Sequence, residues 1–190
     1  TDSRYIESAQ NSLKGFEVIC VDGIGYFKLL NNAIADFGVT TLGYEENYLT
    51  VAEFMGYEKF LNARLVPYNK QISGFRGVKE DWELDLMRKA QKIADKAFAE
   101  VLPRIKVGMS ELELQAELIY CMYKNGAHGL SFDPIVVSGP NSSMPHGVAG
   151  ERKIQEGDFI TMDFGVLYNG YCSDMTRTVA VGFVTEEMEK

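Results

Sequence analysis

Apolar positions along this chain recur with two periods, and the change from one to the other marks its elements. In residues 1–70, short apolar runs alternate with stretches of helical spacing. Runs at 16–21, 39–42 and 64–66 read as strands, the first of them buried, and 1–5 reads as the end of a strand entering a turn. Residues 6–13 suit a short helix. Phe27, Leu29, Leu30, Ala33, Ile34 and Phe37 recur at helical spacing up to Gly38, and Thr50-Val51-Ala52-Glu53 is a capping box opening a helix to about 61. Short strands alternating with helices predict βαβ units around a parallel sheet.

The polar, glycine-bearing stretch 71–77 suits a linker. Beyond it, a long helix over 79–102 buries Leu86, Ala90, Ile93, Ala94, Ala97 and Val101, and Pro103 sits at its end. Ser110-Glu111-Leu112-Glu113 is a second capping box, starting a helix that ends near Asn125-Gly126. Residues 131–137 read as a strand, with Pro134 marking an edge or a bulge. Residues 138–150 form a Gly/Pro/Ser/Asn loop carrying His146, and Thr185 suits the cap of a helix start over 185–189.

Residues 157–182 hold two apolar, β-branched runs on either side of Asn169-Gly170. Asn-Gly suits a type I′ turn, which needs φ > 0 at both central residues, so a tight hairpin is predicted. With those two residues as the loop, Tyr168 faces Tyr171, Gly165 faces Asp174 and Asp163 faces Thr176. Side chains alternate faces with period two, so Asp163 and Asp174 share a face as diagonal neighbours. Two like charges held close repel unless a cation or a shared proton offsets them. They are either surface residues of a solvated hairpin or a pair of hard oxygen ligands for a divalent metal, and spacing alone leaves both open.

The totals narrow the class. A chain of 190 residues with 46% hydrophobic and 24% charged residues is ordinary for one or two globular domains. Its 19 basic and 27 acidic residues give −8, which argues against nucleic acid and anionic membrane partners. Cys20, Cys121 and Cys172 are odd in number and widely spaced, as expected of reduced thiols in a cytoplasmic protein rather than of a disulfide framework. No apolar run approaches transmembrane length.

Asp163-Phe164-Gly165, Gly170-Tyr171 and Ser173-Asp174-Met175-Thr176-Arg177-Thr178 together resemble the metal-binding hairpin of the pita-bread metallopeptidases. That group holds methionine aminopeptidase, aminopeptidase P and prolidase (Xaa-Pro dipeptidase), with the non-peptidase creatinase. The first segment resembles the C-terminal part of the creatinase/prolidase N-terminal domain, which points to the Xaa-Pro branch. The implied fold is α/β (α+β): the end of a creatinase-type N-terminal α/β domain over 1–70, a linker over 71–78, and the first half of a pita-bread catalytic domain over 79–190.

The resemblance implies roles. Asp163 and Asp174 match two ligands of a two-metal centre for divalent ions, manganese foremost, with cobalt or zinc as alternatives. His146 in Met144-Pro145-His146-Gly147 matches a histidine that assists proton transfer; by itself a loop histidine reads as a surface residue. Phe132 matches an aromatic lining the substrate pocket in some relatives, or is simply core. From the register alone, not from the resemblance, Thr176 is a candidate to orient Asp163; His128 has no match in the family and reads as structural. The family's remaining ligands, a histidine and two glutamates, find no match. The chain therefore reads as a fragment, inactive alone and aggregation-prone, of a homodimeric enzyme acting on proline-containing di- or oligopeptides. The alternatives are a creatinase-like, metal-free amidinohydrolase and a non-catalytic binding module.

Overall fold

The computed structural model describes residues 1–186 and Met188. The chain forms two compact units, Thr1–Val78 and Lys79–Lys190.

The first unit holds α1 (Ile6–Ser12), α2 (Tyr26–Asp36), β1 (Thr41–Tyr44), α3 (Val51–Phe60), β2 (Arg64–Pro67) and α4 (Asn69–Phe75). β1 and β2 pair in parallel, Thr41 opposite Arg64, with α3 as the crossover between them. The capping box forms as its sequence predicts: Thr50 Oγ1 accepts from the Glu53 N–H, and Glu53 accepts from the Thr50 N–H at 2.9 Å.

Four stretches of this unit differ from expectation. Residues 1–5 form a turn, and 16–21 are not a buried strand but unpaired chain, with Phe16 73% exposed. The backbone bonds of 16–21 are Thr1 N to Ile19 O, Val21 N to Thr1 O, and the turn that Ile24 N and Gly25 N close onto Val21 O, too little for a ladder. β1 starts two residues late because the Val39 N–H closes the end of α2 onto Ile34 O at 2.8 Å. The stretch 71–78, expected as a linker, is largely helical through α4.

The second unit packs α5 (Asp81–Val101) and α6 (Glu111–Lys124) on one face of two small antiparallel sheets. The strands are β3 (Gly129–Leu130), β4 (Ile135–Ser138), β5 (Phe159–Phe164), β6 (Val166–Tyr168), β7 (Tyr171–Cys172) and β8 (Met175–Ala180), in orders β3-β6-β7 and β4-β5-β8. On α5, Ala90, Ala94, Ala97 and Val101 are fully buried, while Leu86 and Ile93 from the predicted stripe are only half-buried. Alanines on the contact line let α6 approach closely through Leu114, Leu118, Cys121 and Met122. Against them the sheets place Val136, Ile160, Met162, Phe164 and Val166, and Phe98 stacks on Phe164 at 6.1 Å. β4 begins only after Pro134, which has no N–H for a ladder.

The hairpin turn has φ 47° at Asn169 and 83° at Gly170, the two positive values a type I′ turn needs. Its register is the predicted one, with Tyr168 opposite Tyr171 and Asp163 opposite Thr176. At the C-terminal end, Thr185 Oγ1 accepts from the Met188 N–H at 3.3 Å; Glu187 and Glu189 of the expected helix start lie outside the described residues. Among the described residues no helix is long and apolar enough to cross a membrane, and Cys20, Cys121 and Cys172 are free thiols.

Candidate metal centre

β5 is the central strand of its sheet, and its two faces differ. Ile160, Met162 and Phe164 are fully buried toward the helices, whereas Phe159, Thr161 and Asp163 alternate onto the other, half-open face. Asp163 lies between Ile135 on β4 and Thr176 on β8. Its Oδ1 is buried and has no hydrogen-bond partner. Thr176 sits across from it as the register predicts, and among the described residues the two side chains share no hydrogen bond. An unsatisfied buried carboxylate oxygen is costly, and a cation would satisfy it.

Asp174 precedes β8. Met175 turns inward to the core opposite Phe164, so Asp174 and Thr176 on either side of it point outward, and both are exposed. The hairpin ladder is interrupted beside Asp174. Gly165 O accepts from the Ser131 N–H at 3.1 Å, Val166 N–H donates to Ser173 Oγ at 3.0 Å, and Ser131 Oγ donates to Ser173 O at 2.8 Å. This cross-bracing divides the hairpin into β5–β8 and β6–β7 and leaves both aspartates on the open face.

His146 is exposed on the loop following β4. The next residue, Gly147, packs so closely on Val137 that a Cβ there would stand 2.8 Å from Val137 Cγ1. Val137 lies opposite Thr161, two positions along β5 from Asp163. The loop therefore crosses the same face that carries the aspartates. Phe132 is half-buried, three residues ahead of Ile135 at the start of β4, and is not part of the buried core. His128 serves the hairpin: its Nδ1 accepts from the Asn169 N–H at 3.3 Å and its ring tilts on Tyr168 at 4.8 Å.

Two hard carboxylates, one with an unsatisfied buried oxygen, fit a hard divalent cation. Among the described residues no group of three or more His, Cys, Asp or Glu side chains joins them. Among the described residues, Asp163 and Asp174 are the pair that could hold a metal here.

Three residues that sequence reading passes over hold the His146 loop. Glu111, the first residue of α6, is fully buried and accepts from Ser138, Asn141 and Gly150. Arg152 donates to Ser138 Oγ at 2.6 Å and forks onto Asp158 at 2.7 and 3.0 Å. Glu111 reads in sequence as one more acid in a helix's first turn, and burial, the feature that distinguishes it, leaves no local signal. The hydrogen bonds from Arg152 hold the Asp158 carboxyl below the usual carboxylate range, against burial, which pushes it up. With a folded value below the unfolded one, the stabilisation is complete above about pH 4 and is lost as pH falls through the folded value. Asp158→Asn is expected to cost about 2 kcal/mol near neutral pH, a difference that closes on acidification below about pH 4. Urea unfolding of both proteins across that range reads it directly.

Residues 85–190 match the family model described as metallopeptidase family M24, and residues 1–78 match the creatinase/prolidase N-terminal domain. The uncharacterized peptidase YqhT of Bacillus subtilis is 41% identical over 191 residues, covering 100% of this chain and 54% of its own length. The Xaa-Pro dipeptidase of Pyrococcus furiosus is 41% identical over 119 residues, which span 63% of this chain and 34% of that protein. Among solved structures, a Xaa-Pro dipeptidase from Bacillus anthracis superposes with TM-score 0.94 at 39% identity, over 100% of this chain and 53% of that one. An X-Pro aminopeptidase from Thermotoga maritima superposes with TM-score 0.90 at 34% identity, over 99% and 53%. The chain spans about half the length of these solved structures.

Proposed function

This chain belongs to metallopeptidase family M24, and from that premise we propose that the intact protein hydrolyses peptide bonds in which proline supplies the leaving nitrogen. The observation that carries the reading is the buried, unpaired Oδ1 of Asp163 on the face that also presents Asp174. The Xaa-Pro dipeptidases and the aminopeptidase among the similar proteins support it. Asp163 and Asp174 would hold divalent ions, manganese foremost. Bound there, such ions lower the pKa of water and polarise a carbonyl oxygen.

The chain's own residues do the rest by position. Asp163 on a paired strand and Asp174 directly before β8 would set where the reacting carbonyl lies. His146, exposed on the loop that crosses the same face, would hold a proton and deliver it to the leaving nitrogen, a task for which an imidazole is a suitable group. The proline nitrogen carries no N–H and its ring fixes φ, so an apolar surface must seat the ring. Phe132, half-buried beside β4, offers one.

The test is hydrolysis of Xaa-Pro dipeptides and of longer Xaa-Pro peptides by the intact protein, with Mn²⁺ and after chelation. The expected result is a loss of at least about a hundredfold on chelation, restored by Mn²⁺. The preferred peptide length separates a dipeptidase from an aminopeptidase. Undiminished hydrolysis after chelation, or no hydrolysis with any divalent metal, would overturn the proposal; the second result is that of a binding module.

A further inference from the structure

We propose that Glu111 is a positioning residue for His146: one buried carboxylate, outside the metal-binding pair, holds both ends of the loop that carries the imidazole. The inference rests on the peptidase reading given above.

Glu111 is 0% exposed, although it stands at the first position of α6, where an acidic side chain ordinarily reaches solvent. It is not the helix's cap. Ser110 Oγ and Glu113 already satisfy the first turn through a complete capping box. Glu111 turns inward instead. Its Oε1 accepts from the Ser138 N–H at 2.7 Å, from Ser138 Oγ at 2.9 Å and from Asn141 Nδ2 at 3.1 Å. Its Oε2 accepts from the Gly150 N–H at 3.1 Å and from Asn141 Nδ2 at 3.3 Å. Ser138 and Gly150 are the two ends of the loop, and His146 lies between them.

Burying a carboxylate costs several kcal/mol unless hydrogen bonds replace its hydration. Here every partner is a donor, and each belongs to the His146 loop or its ends. Helix stability does not explain this arrangement, because the cap is complete without it. Backbone bonds from Glu111 N to Arg152 O and from Leu112 N to Gly150 O tie the same loop end to the same helix turn. The contact of Gly147 on Val137 is a second anchor beside the imidazole. The loop path, and with it the height of His146 above the aspartate face, follows from where this carboxylate sits.

Glu111→Gln tests the idea with little change in volume. The amide turns one acceptor into an NH2 donor, which then faces the backbone N–H of Ser138 or of Gly150, groups that can only donate. In the intact, Mn²⁺-loaded protein the variant should lower kcat by about tenfold, leave KM within about twofold and leave metal content unchanged. The decisive comparison is the same substitution in a His146→Ala background, where it should cost less than about twofold, because the group it positions is already gone. A loss of equal size in both backgrounds, or no loss in either, would overturn the proposal. Should Glu111→Gln not fold, Asn141→Ala removes one donor from the same carboxylate, and its loss, about threefold, should likewise vanish in the His146→Ala background.

Limited thermolysin cleavage before the exposed Val148 reads the loop without any assay of activity. Glu111→Gln should speed that cut by about tenfold with other cuts unchanged, and an unchanged rate would overturn the proposal. If the unaltered protein fails to hydrolyse Xaa-Pro peptides, the peptidase reading fails, while the cleavage rate still decides whether Glu111 holds the loop.

Discussion

Asp163→Asn is expected to remove metal-dependent hydrolysis by the intact protein, a loss of at least about a thousandfold, while leaving the fold in place. The carboxylate's Oδ1 is buried with no hydrogen-bond partner, so no structural bond is lost when it changes. The substitution removes an unpaired charge from an enclosed position, and stability should stay level or rise by up to about 1 kcal/mol. What the amide cannot supply is a second anionic oxygen for a hard cation. Metal content measured by mass spectrometry should therefore fall together with Xaa-Pro hydrolysis, and the thermal midpoint of the metal-free protein should not. That opposite movement of stability and function separates a ligand from a structural carboxylate. Normal metal content with full activity would sink the assignment. A stability loss of several kcal/mol would show instead that Asp163 has a bonding role in the fold.

The hairpin was readable because two local rules coincide. Asn169-Gly170 permits positive φ at both turn positions, and from that turn the period-two alternation carries the register outward to Asp163 and Thr176. The capping boxes at Thr50 and Ser110 were readable for the same reason: the bonds span three residues. Features set by distant partners were not readable. Residues 16–21 have the composition of a strand, but a strand also requires a neighbour, and composition cannot supply one. The helix over part of 71–78 follows a polar, glycine-bearing sequence that carries no strong signal either way. In the site, the two aspartates follow from register, whereas the placement of the His146 loop depends on Gly147 meeting Val137 and on Glu111 meeting Ser138 and Gly150. The last two contacts join residues 27 and 39 positions apart, beyond the reach of any local pattern.

The same distinction sets the second large effect, at Gly165. Here the backbone does not require positive φ; what is lacking is space. A Cβ at this position would stand 2.0 Å from the carbonyl oxygen of Ser173 and 2.9 Å from Cβ and Oγ of Ser131. The nearest obstacle is backbone, which has no rotamer to move into, so Gly165→Ala must push the two arms of the hairpin apart. That strains four bonds at once: Ser131 N to Gly165 O, Ser131 Oγ to Ser173 O, Ser173 N to Val166 O and Val166 N to Ser173 Oγ. A loss of about 3–5 kcal/mol is expected, measured as a lower urea midpoint at unchanged m-value, or as insoluble protein. Ser131→Gly in the same chain clears only the more distant obstacle and should restore little of the loss, because the Ser173 carbonyl remains. Where the variant folds, its metal affinity should fall as well, since Ser173 precedes Asp174 and any shift of that backbone moves one carboxylate relative to the other. Wild-type stability in Gly165→Ala would mean that the two arms do not approach as closely as described. Wild-type stability with weakened metal binding would place the whole effect of this glycine on the spacing of Asp163 and Asp174.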